Sequence, residues 1–491
     1  MPAPKDNEID RASAGSFPAS DPPPWTLGVE KTDRRIEHDS MGEVAVPSQA
    51  LYGAQTQRAI LNFPISPHRL QPVFISTLGL IKACAAESNV ELGTLPADIG
   101  ARIAAAAWTI AEGEHLDQFV VDLFQTGSGT STNMNANEVI AHLAGCHPND
   151  HVNRSQSSND VIPSAIHIAA ARRIHGELLP AMEQLRGALA AKTAEFAGIF
   201  KIGRTHLQDA TPMTLGQEFS GYEHQVRANA ARVEASMQGL LELPLGGTAI
   251  GTGVNAPAGF AARTIERISR NTGLGFHEAR NHFEAQSSKD AVVFVSGALR
   301  TYAVALTKIA NDIRWLGSGP RGGLGEIHLP ELQPGSSIMP GKVNPVAAES
   351  VLMVCAQVIG HDATIVWCGA AGNFELNTMM PLIAWDLLDS IDLLSACSRN
   401  FAVRCIADLA VDRKRSEALI EQSLAMATLL APEIGYDKAA GIAKRAADTG
   451  RTVREIALEM SGLDPARLNQ LLTFRPQGKA EDGASPLRRT P

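Results

Sequence analysis

Cysteine is sparse and unpatterned in this 491-residue chain: six residues, Cys84, Cys146, Cys355, Cys368, Cys397 and Cys405, with no C-x-x-C pair. Disulfides, a zinc site and an iron–sulfur cluster are therefore not expected, and reduced buried thiols are. Basic charge is also short, with 43 Lys and Arg against 52 Asp and Glu. A net charge of −9 leaves no surplus to neutralise phosphates, so nucleic acid and anionic membranes are poor partners. No apolar run is expected to reach the roughly 18 residues of a membrane span. The N-terminal stretch carries Asp6, Glu8 and Asp10 and no apolar segment, so neither a signal peptide nor an Arg-rich transit peptide is expected, and the cytoplasm is. Nucleotide motifs are missing too: G-x-x-x-x-G-K-[ST] does not occur, and neither "GSGTST" nor "GGTAIGTG" fits G-x-G-x-x-G after a strand. There is no H-E-x-x-H and no EF-hand loop. Chemistry without metal or cofactor is expected.

Aromatics are only 5% against 44% hydrophobic residues, the composition of packed helices, so a mainly α fold is expected. Residues 287–316 carry Val292, Val295, Leu299, Tyr302, Leu306, Ile309, Ile313 and Leu316 at alternating spacings of three and four. That seam predicts a helix of about 45 Å, too long for one small domain. Similar runs over 161–197, 215–242, 345–368 and 376–400 give five long helices and a central bundle. The expected division is an N-terminal domain over 34–156, the bundle over 157–411 and a small helical domain over 412–475. Pro- and polar-rich stretches at 1–33 and 476–491 read as unstructured tails.

Four polar loops each precede a helix. "QTGSGTSTNMNANEVIAHL" holds Ser128, Gly129 and Thr130, and "HPNDHVNRSQSSNDVIPSA" holds Ser157, Ser158 and Asn159. "GRTHLQDATPMTLGQE" places Arg204, Thr205 and His206 before a helix with Thr214 and Gln217 in capping-box spacing. "PGSSIMPGKVNP" carries Ser336, Ser337, Lys342 and Asn344, with Asn344 the expected N-cap and Pro345 the first helical residue. Capping uses one or two such residues, and each loop has more. Helix starts favour negative charge and Lys342 adds a cation, so a pocket for a small carboxylate is expected. His206 is the candidate acid–base group.

These segments resemble those of the fumarase/aspartase superfamily as they occur in class II fumarases. The likeness runs from "RIEHDSMGEVAVP" to "IGYDKAAGIAKRA", roughly nine tenths of the chain. It implies a three-domain fold whose central bundles pool between subunits of a homotetramer, with sites shared between chains. It also implies a lyase of the tricarboxylic acid cycle that hydrates fumarate reversibly to L-malate without metal, through an aci-carboxylate. By the same resemblance Ser336 is the catalytic base on a mobile loop, and His206 pairs with an acidic partner, Glu349. Lys342, Asn344 and Ser337 bind carboxylate. Thr205, Ser128, Gly129, Thr130, Ser157, Ser158 and Asn159 hold substrate and water. His147, Asn149 and Asp150 resemble a second anion site.

Among relatives, aspartases tend toward "GAGT" or "GGGT", "QSTND", "DAVP" and "MPAKVNP", whereas this chain reads "GSGT", "QSSND", "DATP" and "MPGKVNP". An aspartate ammonia-lyase is the alternative, followed by a structural relative without activity. Argininosuccinate and adenylosuccinate lyases match the serine loop only loosely, and iron–sulfur fumarases need a cysteine triad. One departure stands out: "TMMPLIAWDLLDS" follows "GNFELN", where class II fumarases usually carry a "VFKPM"-like stretch. Its expected effect is on helix packing or a subunit contact.

Overall fold

The computed structural model describes residues 33–473; beyond Asp33, the segments expected to be tails lie outside the described residues. The described residues open with a hairpin of strands β1 (Arg34–Asp39) and β2 (Gly42–Pro47). Helix α1 (Pro72–Glu91) then lies against α2 (Thr130–Ala144) and α3 (Ser158–Arg173). Past a π-helical turn at Ile174–Leu178 the chain continues as α4 (Leu179–Glu195). The long helices α5 (Leu215–Ser236), α6 (Asp290–Leu316), α7 (Val346–Gly369) and α8 (Met380–Phe401) complete a bundle in which α4 packs on α5, α5 on α6, α6 on α7 and α7 on α8. Strands among the described residues form only two-stranded sheets. The mainly helical architecture expected from composition is the one observed.

The seam of α6 is the clearest case of sequence becoming structure. All eight residues from Val292 to Leu316 named above are at most 3% exposed. Full burial of each Leu, Ile or Val contributes about 1.5–3 kcal/mol relative to exposure. Leu306→Ala would cost about 2–5 kcal/mol through lost transfer energy and the cavity left behind. The opposite face is apolar as well: Phe294, Val304 and Trp315 are 67%, 56% and 52% exposed, and on α7 Met353 and Trp367 are 69% and 75% exposed.

The expectation that no segment is long and apolar enough to span a membrane does not hold. Helices α1, α6 and α7 are each long and apolar enough, by length and composition, to cross a membrane. The unbroken apolar runs are short because polar residues such as Lys82 in α1, Arg300 in α6 and Gln357 in α7 interrupt them, while the mean hydropathy of each helix stays high. The most apolar window of α1 is 78% buried within the protein's own core, against 50% in α6 and 39% in α7.

Strands β3 (Phe200–Thr205) and β4 (Gln208–Thr214) form an antiparallel hairpin that leads into α5. Ile202 at its root is fully buried in a second hydrophobic core with Ile420, Leu430, Ile442, Ile456 and Leu468 of the C-terminal helices. The small helices after residue 412 thus seat the hairpin that carries His206.

Candidate functional site

Two of the polar loops meet inside the chain. Ser128 Oγ lies 2.8 Å from Thr130 Oγ1, which lies 2.7 Å from Ser158 Oγ, so three hydroxyls form one hydrogen-bonded row across the starts of α2 and α3. The backbone allows this because Gly129 takes φ 73° at the N-cap of α2. At Gly127 a Cβ would collide with the carbonyl of Thr378, and, two residues on, Met380 donates its N–H to Gly127 O at 2.9 Å. The segment that departs from the usual family pattern therefore buttresses the Ser128 loop.

Ser157 caps α3 in a capping box with Asp160, whose Oδ1 accepts from Ser157 N at 2.9 Å. Asp160 is fully buried, and burial pushes its carboxyl up to about 6 against the pull of three backbone N–H donors. Its Oδ2 accepts from Gly246 N and Thr248 N, both at 2.9 Å. Asn159 Nδ2 donates to Ala249 O at 2.8 Å. The "GGTAIG" segment is thus the wall of the Ser157–Asn159 loop. A polar cleft of about 590 Å³ opens here, lined by Asn149, Arg154, Ser157, Thr248 and Asn255 among others. It joins the loop expected to bind substrate to the loop expected to bind a second anion.

That second loop is a π-helical turn over Pro148–Val152. His147 Nδ1 accepts from Asp150 N at 3.1 Å, and its ring lies 3.3 Å from the Asp150 carboxylate. His147, Asn149 and Asp150 are all exposed.

The Pro334–Pro345 loop is pinched at its base. Gly335 N donates to Lys342 O at 2.8 Å, so close that a Cβ at Gly335 would strike that carbonyl. Asn344 Nδ2 donates to Gly335 O at 2.7 Å. Asn344 is consequently not the N-cap expected: α7 begins at Val346, Pro345 holds the cap position without a side-chain bond, and the Asn344 amide closes the loop instead. Ser336 Oγ accepts from the N–H of Ile338 and of Met339, each at 3.2 Å. Two donors aimed at one hydroxyl oxygen favour its anionic form. Lys342 and Ser337 are exposed, and neither side chain has a polar partner among the described residues. Glu349 sits in the first turn of α7.

Thr205 and His206 lie at the tip of the β3–β4 hairpin, where Thr205 pairs with Gln208. His206 and Leu207 have φ 55° and 59°, the two-residue turn that suits a twisted hairpin but strains residues other than Gly or Asn. The tip is exposed. Arg204 is spent elsewhere: its guanidinium reaches the fully buried Glu326 at 2.6 Å and fastens the hairpin to the chain below. His206 and Glu349 make no side-chain bond with each other or with any other described residue.

Within one chain the structure brings together Ser128, Thr130 and Ser158, and gathers Ser336, Lys342 and Asn344 on a single loop. It does not join the Ser336 loop or the His206 tip to the hydroxyl row. Sequence reasoning missed Asp160, Lys82, Asn153 and the 246–249 wall. The Ser157-to-Asp160 spacing of a capping box was a readable signal for the first. A lone lysine in the apolar run of α1 was one for the second.

Residues 42–360 match the family described as Lyase, and residues 426–475 match Fumarase C C-terminus. A class II fumarate hydratase of Mycobacterium tuberculosis (strain CDC 1551 / Oshkosh) is 53% identical over 439 residues, 88% of this chain and 93% of that protein. One from Xylella fastidiosa (strain Temecula1) is 50% identical over 453 residues, 91% and 96% of the two chains. The crystal structure of class II fumarase from Schistosoma mansoni superposes with a TM-score of 0.88 at 37% identity, covering 90% of this chain and 98% of its own. A fumarate lyase:delta crystallin from Brucella melitensis bound to cobalt gives 0.86 at 46% identity, with the same coverage. On these matches the chain belongs to the class II fumarases of the lyase family.

Proposed function

We propose that this chain hydrates fumarate reversibly to L-malate by acid–base catalysis, using residues of its own and no metal. The observation that carries the reading is the Ser336 loop, where a hydroxyl with two backbone donors shares one loop with Lys342, whose ammonium has no polar partner among the described residues. In the malate-to-fumarate direction Ser336 Oγ, as alkoxide, takes the proton from C3. The electron pair of that C–H bond moves into the adjacent carboxylate, giving an aci-carboxylate. Lys342, Asn344 and loop N–H groups stabilise the charge that develops there, the kind of preorganised donor set that lowers such barriers most. The pair then returns to form the C2–C3 double bond as hydroxide leaves C2, protonated by way of His206, which Glu349 orients. Gly129, the hydroxyls of Ser128, Thr130, Ser157 and Ser158, the amide of Asn159, and Thr205 and Ser337 hold the carboxylates and the water.

The hydroxyl row and the exposed loops come together between chains in this reading. The open apolar faces of α6 and α7, with Phe294, Val304, Trp315, Met353 and Trp367, support a homotetramer with a shared bundle. His147, Asn149 and Asp150 form a second anion site. The six cysteines are unpaired, in keeping with a reducing compartment such as the cytoplasm, where the reaction serves the tricarboxylic acid cycle.

Following fumarate absorbance with L-malate, aspartate and argininosuccinate in parallel, in air and after exhaustive chelation, tests the assignment. Turnover of L-malate alone, unchanged by chelator, is expected. Comparable turnover of aspartate would make the chain an ammonia-lyase, and loss on chelation restored by a metal would overturn the metal-free step.

A further inference from the structure

Between Val73 and Ala86 helix α1 carries one charged residue, Lys82. Its side chain is fully buried, and its Nζ donates to Asn153 Oδ1 at 3.0 Å. The same oxygen accepts from Asn133 Nδ2 at 3.2 Å and Asn137 Nδ2 at 3.1 Å, while Asn153 Nδ2 donates to Gln156 O at 3.2 Å. Gln156 directly precedes the Ser157 cap. Two turns along the same face of α1, Asn89 holds the next part of that segment. Its Nδ2 donates to Arg154 O at 3.0 Å, and its Oδ1 accepts from Ser155 Oγ at 2.7 Å. Ser155 is held at φ 63°, a left-handed conformation that a non-glycine residue keeps only when its surroundings impose it. One face of one helix therefore fixes residues 153–156 at two points.

A buried ammonium with a single neutral acceptor is an expensive way to hold a turn, since an amide or an apolar side chain would do so without desolvating a charge. Burial pulls Lys82 down to about 7, and the nearby Asp160 carboxylate at the start of α3 pulls it back up. A positive charge at that depth, beneath a loop presenting hydroxyls and an amide, suits a dianionic ligand above it.

Building on the hydration reading, we propose that Lys82 is a positioning residue for the dicarboxylate. Its ammonium fixes Asn153, and through Asn153 and Gln156 the turn that presents Ser157, Ser158 and Asn159, while its charge favours an anion on that turn. Lys82 does not touch substrate. Its loss should loosen binding far more than the chemical step, because the proton-abstracting loop is elsewhere.

Lys82→Met keeps most of the side-chain volume and removes the charge. Asn153→Asp keeps an oxygen for Lys82 but removes the donor to Gln156 O. Each variant, once shown folded by circular dichroism and gel filtration, should raise KM for fumarate and for L-malate about 10-fold and change kcat less than about 3-fold. A purely structural role would lower Tm and the active fraction, hence kcat, and leave KM alone. KM within about twofold of wild type in either folded variant would overturn the proposal. If Lys82→Met does not fold, Asn153→Asp decides alone. Calorimetric binding of succinate separates this proposal from the reaction assigned above. A wild-type protein that binds succinate but does not hydrate fumarate would overturn the reaction, and weaker succinate binding by the variants would still uphold Lys82. Equal binding by wild type and variants would overturn it.

Discussion

The two halves of the site are built in opposite ways. The hydroxyl row at Ser128, Thr130 and Ser158 rests on groups that are tied to one another within the chain, with Asp160 binding three backbone N–H groups and Asn153 accepting three donors. The Ser336 loop and the His206 tip are exposed, and Lys342, His206 and Glu349 find no side-chain partner among the described residues. A pocket that holds two carboxylates gains affinity from being preset, because no ordering is then charged to binding. A loop that must close over a reacting carbon, or meet a second chain, keeps its functional groups uncommitted until it does. In the proposed reading the first half binds the carboxylates and the second carries the proton transfer.

The sharpest way to break that contrast is to remove the base. Ser336→Ala should lower kcat by on the order of 10²-fold or more while succinate binding stays near wild type. Steady-state rates with L-malate check it, and a near-wild-type kcat would move the base elsewhere. Asp160→Ala attacks the other half. Three backbone donors lose a buried carboxylate, so stability should fall by roughly 3–5 kcal/mol, seen as a lower urea midpoint, and succinate binding should weaken with it. A smaller effect on both sides is expected from Lys342→Met. Its charge meets a carboxylate that is already ionised in the ground state and gains charge later, so KM should rise and kcat fall, each by about 10-fold. A change confined to either parameter would mean that Lys342 serves one half only.

Much of this was legible in the sequence, and for identifiable reasons. The α6 seam was readable because a three–four alternation has few structural meanings, and every residue on it is buried. The Thr214–Gln217 capping box is local chemistry and appears as read. Asn344 was misplaced because an Asn before Pro suits both an N-cap and a loop clasp, and only the approach of Gly335 decides between them. Asp160 and Lys82 escaped because their work is done across 86 and 71 residues of sequence, to Gly246 and Asn153. The Thr378–Met380 departure was read as a packing feature, and its contact with Gly127 could not be inferred from spacing.

The central claim is that the preset half from one chain meets the reactive half from another. Ser336→Ala and a variant disabled at Asn159 should each be inactive alone. When the two are denatured, mixed in equal amounts and refolded together, random assembly leaves about one quarter of the sites free of both changes, so about a quarter of wild-type activity should return. Mixing without denaturation should restore nothing. Mixed oligomers that form, as shown by a tag on one variant, yet regain no activity would contradict the account, since each site would then be built within a single chain.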